Sequence, residues 1–115
     1  MGGGRRISPI IFATGLLVLA TAGPARAEKA TLLFFWAVNC PHCLEARPVI
    51  EEMARRYDDL QLRQFEVWNH PENYRLMMDT AAELGYDRVM TPMVVLDRQI
   101  WFGFDDETAA AIEAA

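Results

Sequence analysis

Apolar and polar positions along residues 28–115 divide this stretch into seven elements. Thr31-Leu32-Leu33-Phe34-Phe35-Trp36 is a continuous apolar run bounded by polar residues, the pattern of a strand covered on both faces. Over residues 41–57, Leu44, Val49/Ile50, Met53 and Tyr57 recur at three-to-four spacing with charges between them, which predicts an amphipathic helix. Gln61 to Trp68 alternates through Leu62, Phe65 and Val67, a second strand. Asn69-His70-Pro71-Glu72 carries helix-start chemistry: a polar cap, an early proline and an acid in the first turn. That helix continues through Tyr74, Met77, Ala81 and Leu84 and stops at Gly85. Met93 to Leu96 is a third strand, Asp97-Arg98 a turn, and Gln99 to Phe102 a returning fourth. Asp105-Asp106-Glu107 places negative charge where a last helix, Thr108 to about Ala114, begins.

The order is β-α-β-α-β-β-α. Its first β-α-β must be a right-handed crossover between parallel strands, and its closing β-β is a hairpin. The expected architecture is α/β: a four-stranded mixed sheet between helices, in three layers. No repeat, linker or low-complexity tract interrupts residues 28–115, so they form a single domain.

The first 27 residues follow another logic. Arg5-Arg6 is a short positive region, Ile10 to Ala22 is apolar apart from Thr14, Gly15 and Thr21, and Ala25-Arg26-Ala27 is an A-x-A site. This is the pattern of a secretory signal cleaved after Ala27. The apolar run is shorter than the ~20 residues that span a bilayer, which disfavours the alternative of a retained anchor. No cysteine stands near the site for lipid attachment, and Ser8-Pro9 follows the arginine pair where a twin-arginine signal needs apolar residues. Export, to the periplasm or the medium, places the thiols among oxidants.

Charge narrows the partners. The chain has 115 residues with 11 Lys and Arg against 16 Asp and Glu; three arginines fall in the first 27, which leaves 8 against 16, net −8. An acidic domain of 88 residues fits neither nucleic acid nor anionic lipid. It has no Gly-rich phosphate loop and no room for a flavin or nicotinamide site, so no cofactor is expected.

Candidate chemistry is concentrated in Cys40-Pro41-His42-Cys43, which contains both cysteines of the chain and lies between the first strand and the first helix. A structural disulfide over two intervening residues would remove little chain entropy. A zinc site would need a second Cys/His pair, and His70 is alone. A redox dithiol needs this spacing beside a β-α-β unit. At a helix start, the free N–H groups and the dipole stabilise a thiolate at Cys40, which lowers its pKa. Cys43, one turn further in, is the resolving thiol. His42 can add a positive charge or a hydrogen bond toward Cys40, against the plainer reading of a solvated helix-turn residue. Pro41 takes an early helical position that needs no N–H donor.

These residues resemble the thioredoxin superfamily over nearly all of 30–115. Phe35-Trp36-Ala37 is similar to the family's F-W-A, and Pro48 stands where thioredoxins carry the proline of the active-site helix. Pro48-Val49-Ile50-Glu51-Glu52-Met53-Ala54 is similar to P-x-L-x-E-x-A, and Phe102-Gly103-Phe104 resembles the glycine turn before the last helix. Thr91-Pro92 looks like the cis-proline loop opposite the dithiol, which implies that Thr91 and Pro92 bind substrate. The insert Pro41-His42 is similar to that of the secreted DsbA-type dithiol oxidases, but there is no room for their helical insertion. Two departures stand out: Asn39 replaces the tryptophan before the first cysteine, and Phe34 replaces a buried aspartate that helps deprotonate the second. Without that acid, resolution by Cys43 must use water or another group, for which Glu45 is a candidate.

The remaining candidates have plainer readings. Met90 and Met93 flank Thr91-Pro92, as core residues or as a soft peptide-binding lip. Trp36, Trp68 and Trp101 read as structural, His70 as a helix-start residue, and Arg55-Arg56-Tyr57-Asp58-Asp59 as a solvated helix end. The expectation is a monomeric, exported thiol–disulfide oxidoreductase of thioredoxin-like fold. It exchanges disulfides with protein substrates and passes electrons to or from a membrane thiol-redox partner. The alternative is a copper chaperone that holds Cu(I) on the cysteine pair with His42 or Met90.

Overall fold

Strand β1, Ala30–Trp36, is the centre of the molecule. The computed structural model describes residues 29–115, so the leader expected at 1–27 lies outside the described residues. The order is β1, α1 (Pro41–Arg56), β2 (Leu60–Glu66), α2 (Pro71–Glu83), β3 (Met93–Leu96), β4 (Gln99–Phe102) and α3 (Asp106–Ala114). The sheet runs β2-β1-β3-β4. β1 pairs parallel with β2 and antiparallel with β3, and β3 pairs antiparallel with β4.

The period-two geometry of β1 builds both halves of the core. Leu32 and Phe34 face α1 and α3, packing with Ala46, Ile50, Met53, Val94 and Ile112. Phe35 faces the other way and packs with Met77 and Ala81 of α2 and with Met93 and Val95. The sheet is thus covered on both faces.

The face that α1 buries matches the expected one at Ile50 and Met53 and departs from it at Leu44, Val49 and Tyr57. Leu44, Val49 and Tyr57 are 49%, 40% and 41% exposed, whereas Cys43, Ala46, Ile50 and Met53 are buried. Ala46, Ile50 and Met53 pack on Leu32 and Phe34, and Cys43 is buried in the first turn. Arg47 on its flank lies over the Trp36 ring, 4.1 Å from the centroid, and donates to Gln64 of β2.

The element ends follow local chemistry. β2 stops at Glu66, two residues before the end of the expected strand, although the Val67 N–H still donates to the Trp36 carbonyl at 2.8 Å. His70 is the N-cap of α2 without a side-chain cap bond, and Pro71 follows it. After α2, Gly85 has φ +95°, a left-handed conformation that glycine adopts without strain. α3 starts two residues earlier than expected, because the Asp105 carboxylate accepts the Thr108 N–H at 2.8 Å.

Candidate active site

Two chain segments run side by side past the end of β1 and β2. The first, Ala37-Val38-Asn39-Cys40, leads into α1. The Cys40 N–H donates to the Ala37 carbonyl at 3.1 Å, which closes a tight turn. Cys40 is the N-cap residue of α1 in an extended conformation, and its sulfur accepts the Cys43 N–H at 3.2 Å. The helix therefore directs a free N–H and its positive end at the Cys40 sulfur, the arrangement that favours a thiolate there.

Cys40 and Cys43 are joined as a disulfide with Cα atoms 5.2 Å apart. Their surroundings differ. Cys40 is half-buried, while Cys43 is fully buried under the first turn. Pro41 and His42, between them, are exposed. The contact His42 makes is outward: its Nδ1 lies 3.7 Å from Glu45 Oε1, and the two side chains are 75% and 78% exposed. The structure thus pairs His42 with Glu45 and leaves both at the surface. Phe34, fully buried, fills the core beneath α1, and no buried charged or polar residue accompanies it among the described residues.

Thr91-Pro92 enters the same end of the sheet. Met93 pairs with Phe35, so the residues before Met93 continue past the end of β1 toward the 37–40 turn. The Thr91–Pro92 peptide bond is cis. Pro92 is buried and Thr91 half-exposed, and the Pro92 carbonyl accepts the Gly103 N–H at 2.8 Å. Val89 and Cys40 both pack on the α2-side core. Of the two methionines here, Met93 is core and Met90 is 57% exposed.

The second segment beside the dithiol, Glu66-Val67-Trp68-Asn69-His70, holds a residue that the sequence did not single out. Glu66 Oε2 accepts the N–H of Val38 at 2.9 Å and of Trp68 at 3.0 Å. Its Oε1 accepts the Asn69 N–H at 2.8 Å and pairs with His70 Nδ1 at 3.1 Å. Burial opposes ionisation of this carboxyl, but the bonds from Asn69, Val38, His70 and Trp68 outweigh it and hold its pKa down to about 2. One carboxylate thereby ties the turn before Cys40 to the start of α2. No motif signals it, because three of its four partners are main-chain N–H groups brought together by folding. Trp68, expected to be structural, is instead 65% exposed.

No family model matches the chain, and no curated protein matches it. Solved structures do. A variant thioredoxin from Halobacterium salinarum is 25% identical with a TM-score of 0.56, covering 76% of this chain and 71% of that one. A thioredoxin from Malassezia sympodialis is 22% identical with a TM-score of 0.53, covering 76% and 74%. The oxidized mitochondrial thioredoxin 3 of Saccharomyces cerevisiae is 21% identical with a TM-score of 0.50, covering 76% of each. The chain has the thioredoxin fold. On this thioredoxin fold, a C-x-x-C pair with a capping first sulfur and a buried second one is the constellation of a thiol–disulfide oxidoreductase. The copper reading finds no support: among the described residues, no group of three or more His, Cys, Asp or Glu is placed to hold a metal.

Proposed function

We propose that this protein is an exported thiol–disulfide oxidoreductase that exchanges disulfides with protein substrates through Cys40 and Cys43. The observation that carries the reading is the asymmetry of the pair. Cys40 caps the helix and is half-buried, and Cys43 is fully buried behind it. An incoming thiolate meets Cys40 first.

The chemistry then balances as follows. A substrate thiolate attacks the Cys40 sulfur, the Cys40–Cys43 bond breaks, and Cys43 leaves as a thiolate that takes up a proton. A mixed disulfide between substrate and Cys40 results. A second substrate thiolate attacks the substrate sulfur of that bond and releases the Cys40 thiolate, which the helix N-terminus stabilises. Two electrons pass from substrate to protein. The same steps in reverse reduce a substrate disulfide. Phe34 supplies no base, and Glu45 is held at the surface beside His42, so the Cys43 proton is exchanged with water or with the departing sulfur.

Thr91 and Pro92 are the substrate-side wall of this site. The main chain of Thr91 pairs with an extended substrate in the manner of an added strand, which aligns the substrate sulfur with Cys40. Pro41 and His42 form the exposed part of the helix start. Electrons are restored or removed by a partner protein, a membrane thiol-redox protein being the class that fits an exported domain. Export rests on the pattern of residues 1–27, and the mature chain begins at Glu28.

The test is the variant Cys43→Ala, which cannot resolve the mixed disulfide. Incubated with a peptide disulfide that the wild type turns over, it accumulates a covalent adduct at Cys40, visible by mass and released by dithiothreitol. If no adduct forms, the two-step mechanism is wrong. Intact mass of the exported protein starts at Glu28; a full-length species held in the membrane would overturn the localisation.

A further inference from the structure

The exposed apolar side chains next to the dithiol are paired across two loops. Val38 is 46% exposed and Trp68 is 65% exposed. They belong to different segments, 30 residues apart, yet their N–H groups donate to the same oxygen, Glu66 Oε2, at 2.9 and 3.0 Å. Two donors on one oxygen at these distances place the two backbones side by side. The other Glu66 oxygen fixes Asn69 and His70, so Trp68 is held from both directions along the chain.

This pair lies at the turn that leads to the reactive sulfur. Val38 lies in the turn closed by the Cys40 N–H and the Ala37 carbonyl, two residues before Cys40. The sheet order β2-β1-β3 places this segment and Thr91-Pro92 on opposite sides of the 37–40 turn, so a polypeptide that brings a cysteine to Cys40 along the sheet end passes over one of them. An exposed indole costs free energy in water and is a frequent anchor in binding interfaces. Here its loop is already ordered by the carboxylate, so little further ordering is lost on contact.

Building on the oxidoreductase reading, we propose that Trp68 and Val38 form a specificity-determining contact for an apolar or aromatic side chain next to the reacting cysteine of a polypeptide substrate. Glu66 is the positioning residue that presents them. The occupant is an unfolded or extended polypeptide segment. The two exposed side chains are apolar, and their continuity with the Cys40 turn places the occupant within one or two residues of its own sulfur.

The experiment uses two single-cysteine peptides as symmetric disulfides, identical except for Phe or Gly beside the cysteine. The reduced protein donates two electrons to the disulfide, forming its own Cys40–Cys43 bond and releasing two peptide thiols. The readout is the ratio of the two second-order rate constants within one variant, in which a loss of folded fraction cancels. The wild type prefers the Phe peptide by about tenfold, the upper end of what one aromatic pair contributes. Trp68→Ala reduces the ratio to below about threefold, Val38→Ser reduces it in part, and Trp68→Phe restores it. A ratio unchanged in Trp68→Ala, or equal rates in the wild type, would overturn the contact and leave the oxidoreductase reading standing. If the reduced wild type exchanges with neither peptide disulfide and the oxidised wild type with neither peptide thiol, the oxidoreductase reading fails, and the contact with it.

Discussion

Glu66→Gln isolates the charge of the carboxylate from its shape. The side chain keeps its length and volume, but only one oxygen remains. In the wild type each oxygen serves two donors, Oε2 the Val38 and Trp68 N–H groups and Oε1 those of Asn69 and His70. A glutamine oxygen can serve one pair, and its amide N–H₂ then faces the other pair, donor against donor. The Glu66 side chain is only 11% exposed, so water replaces the lost bonds incompletely. Hydrogen bonds to a charged group contribute ~1.5–3 kcal/mol each. With two of them lost and partial solvation recovered, the expected cost is about 2 kcal/mol. For a domain of this size that corresponds to roughly 10 °C in Tm. The sign of the pH dependence follows from the depressed pKa. Glu66 titrates near 4.5 when unfolded and at about 2 when folded. Its contribution is therefore complete above the unfolded value and fades as pH falls toward 2. Thermal unfolding of both proteins, followed by circular dichroism from pH 7 to pH 2.5, measures this. The gap in Tm is widest at neutral pH and narrows below about pH 4.5. A gap that is absent at pH 7, or that stays constant to pH 2.5, would refute the reasoning.

In the reduced protein, iodoacetamide modifies Cys40 before the buried Cys43, with a midpoint below the ~8.5 of an unperturbed thiol, because the helix start stabilises its thiolate; equal labelling of the two across pH would count against their roles. Ile50→Ala, deep in the core between α1 and the sheet, costs about 3 kcal/mol in urea unfolding, whereas Leu44→Ala, on the outward face, changes stability by less than about 0.5 kcal/mol. Similar losses for both would mean that Leu44 is packed against the core as Ile50 is.

The strands and the dithiol were legible in the sequence because their signals are local. The β3 and β4 ranges match the expected 93–96 and 99–102, where a short apolar run meets Asp97-Arg98 and returns. The place of Cys40 at the start of α1 follows from an apolar strand ending and Pro41 opening a helix. The buried face of α1 was legible only in part: the spacing marked Ile50 and Met53 but not Cys43 and Ala46. Periodicity weighs large side chains, and this helix approaches the sheet through Cys43 and Ala46. The exposure of Trp68 was not legible either: it was read as a structural residue at the end of the second strand, but β2 ends at Glu66 and leaves its side chain 65% exposed. Glu66 itself reads as one more acid in an acidic chain. Its role exists only once Val38 and Trp68, distant along the chain, have met.

Pro48 stands inside α1, where a residue without an N–H cannot donate to the carbonyl four positions back, that of Leu44. Leu44 is half exposed, so solvent can hydrate that oxygen. The hydrogen-bond ladder of α1 is therefore interrupted between the turn that carries the two sulfurs and the turns anchored by Ile50 and Met53. Opening of the first segment need not propagate into the second. In amide-exchange terms, residue 48 is the seam at which α1 can divide into two units. The N-terminal unit can breathe around a mixed disulfide while the C-terminal unit keeps the sheet covered.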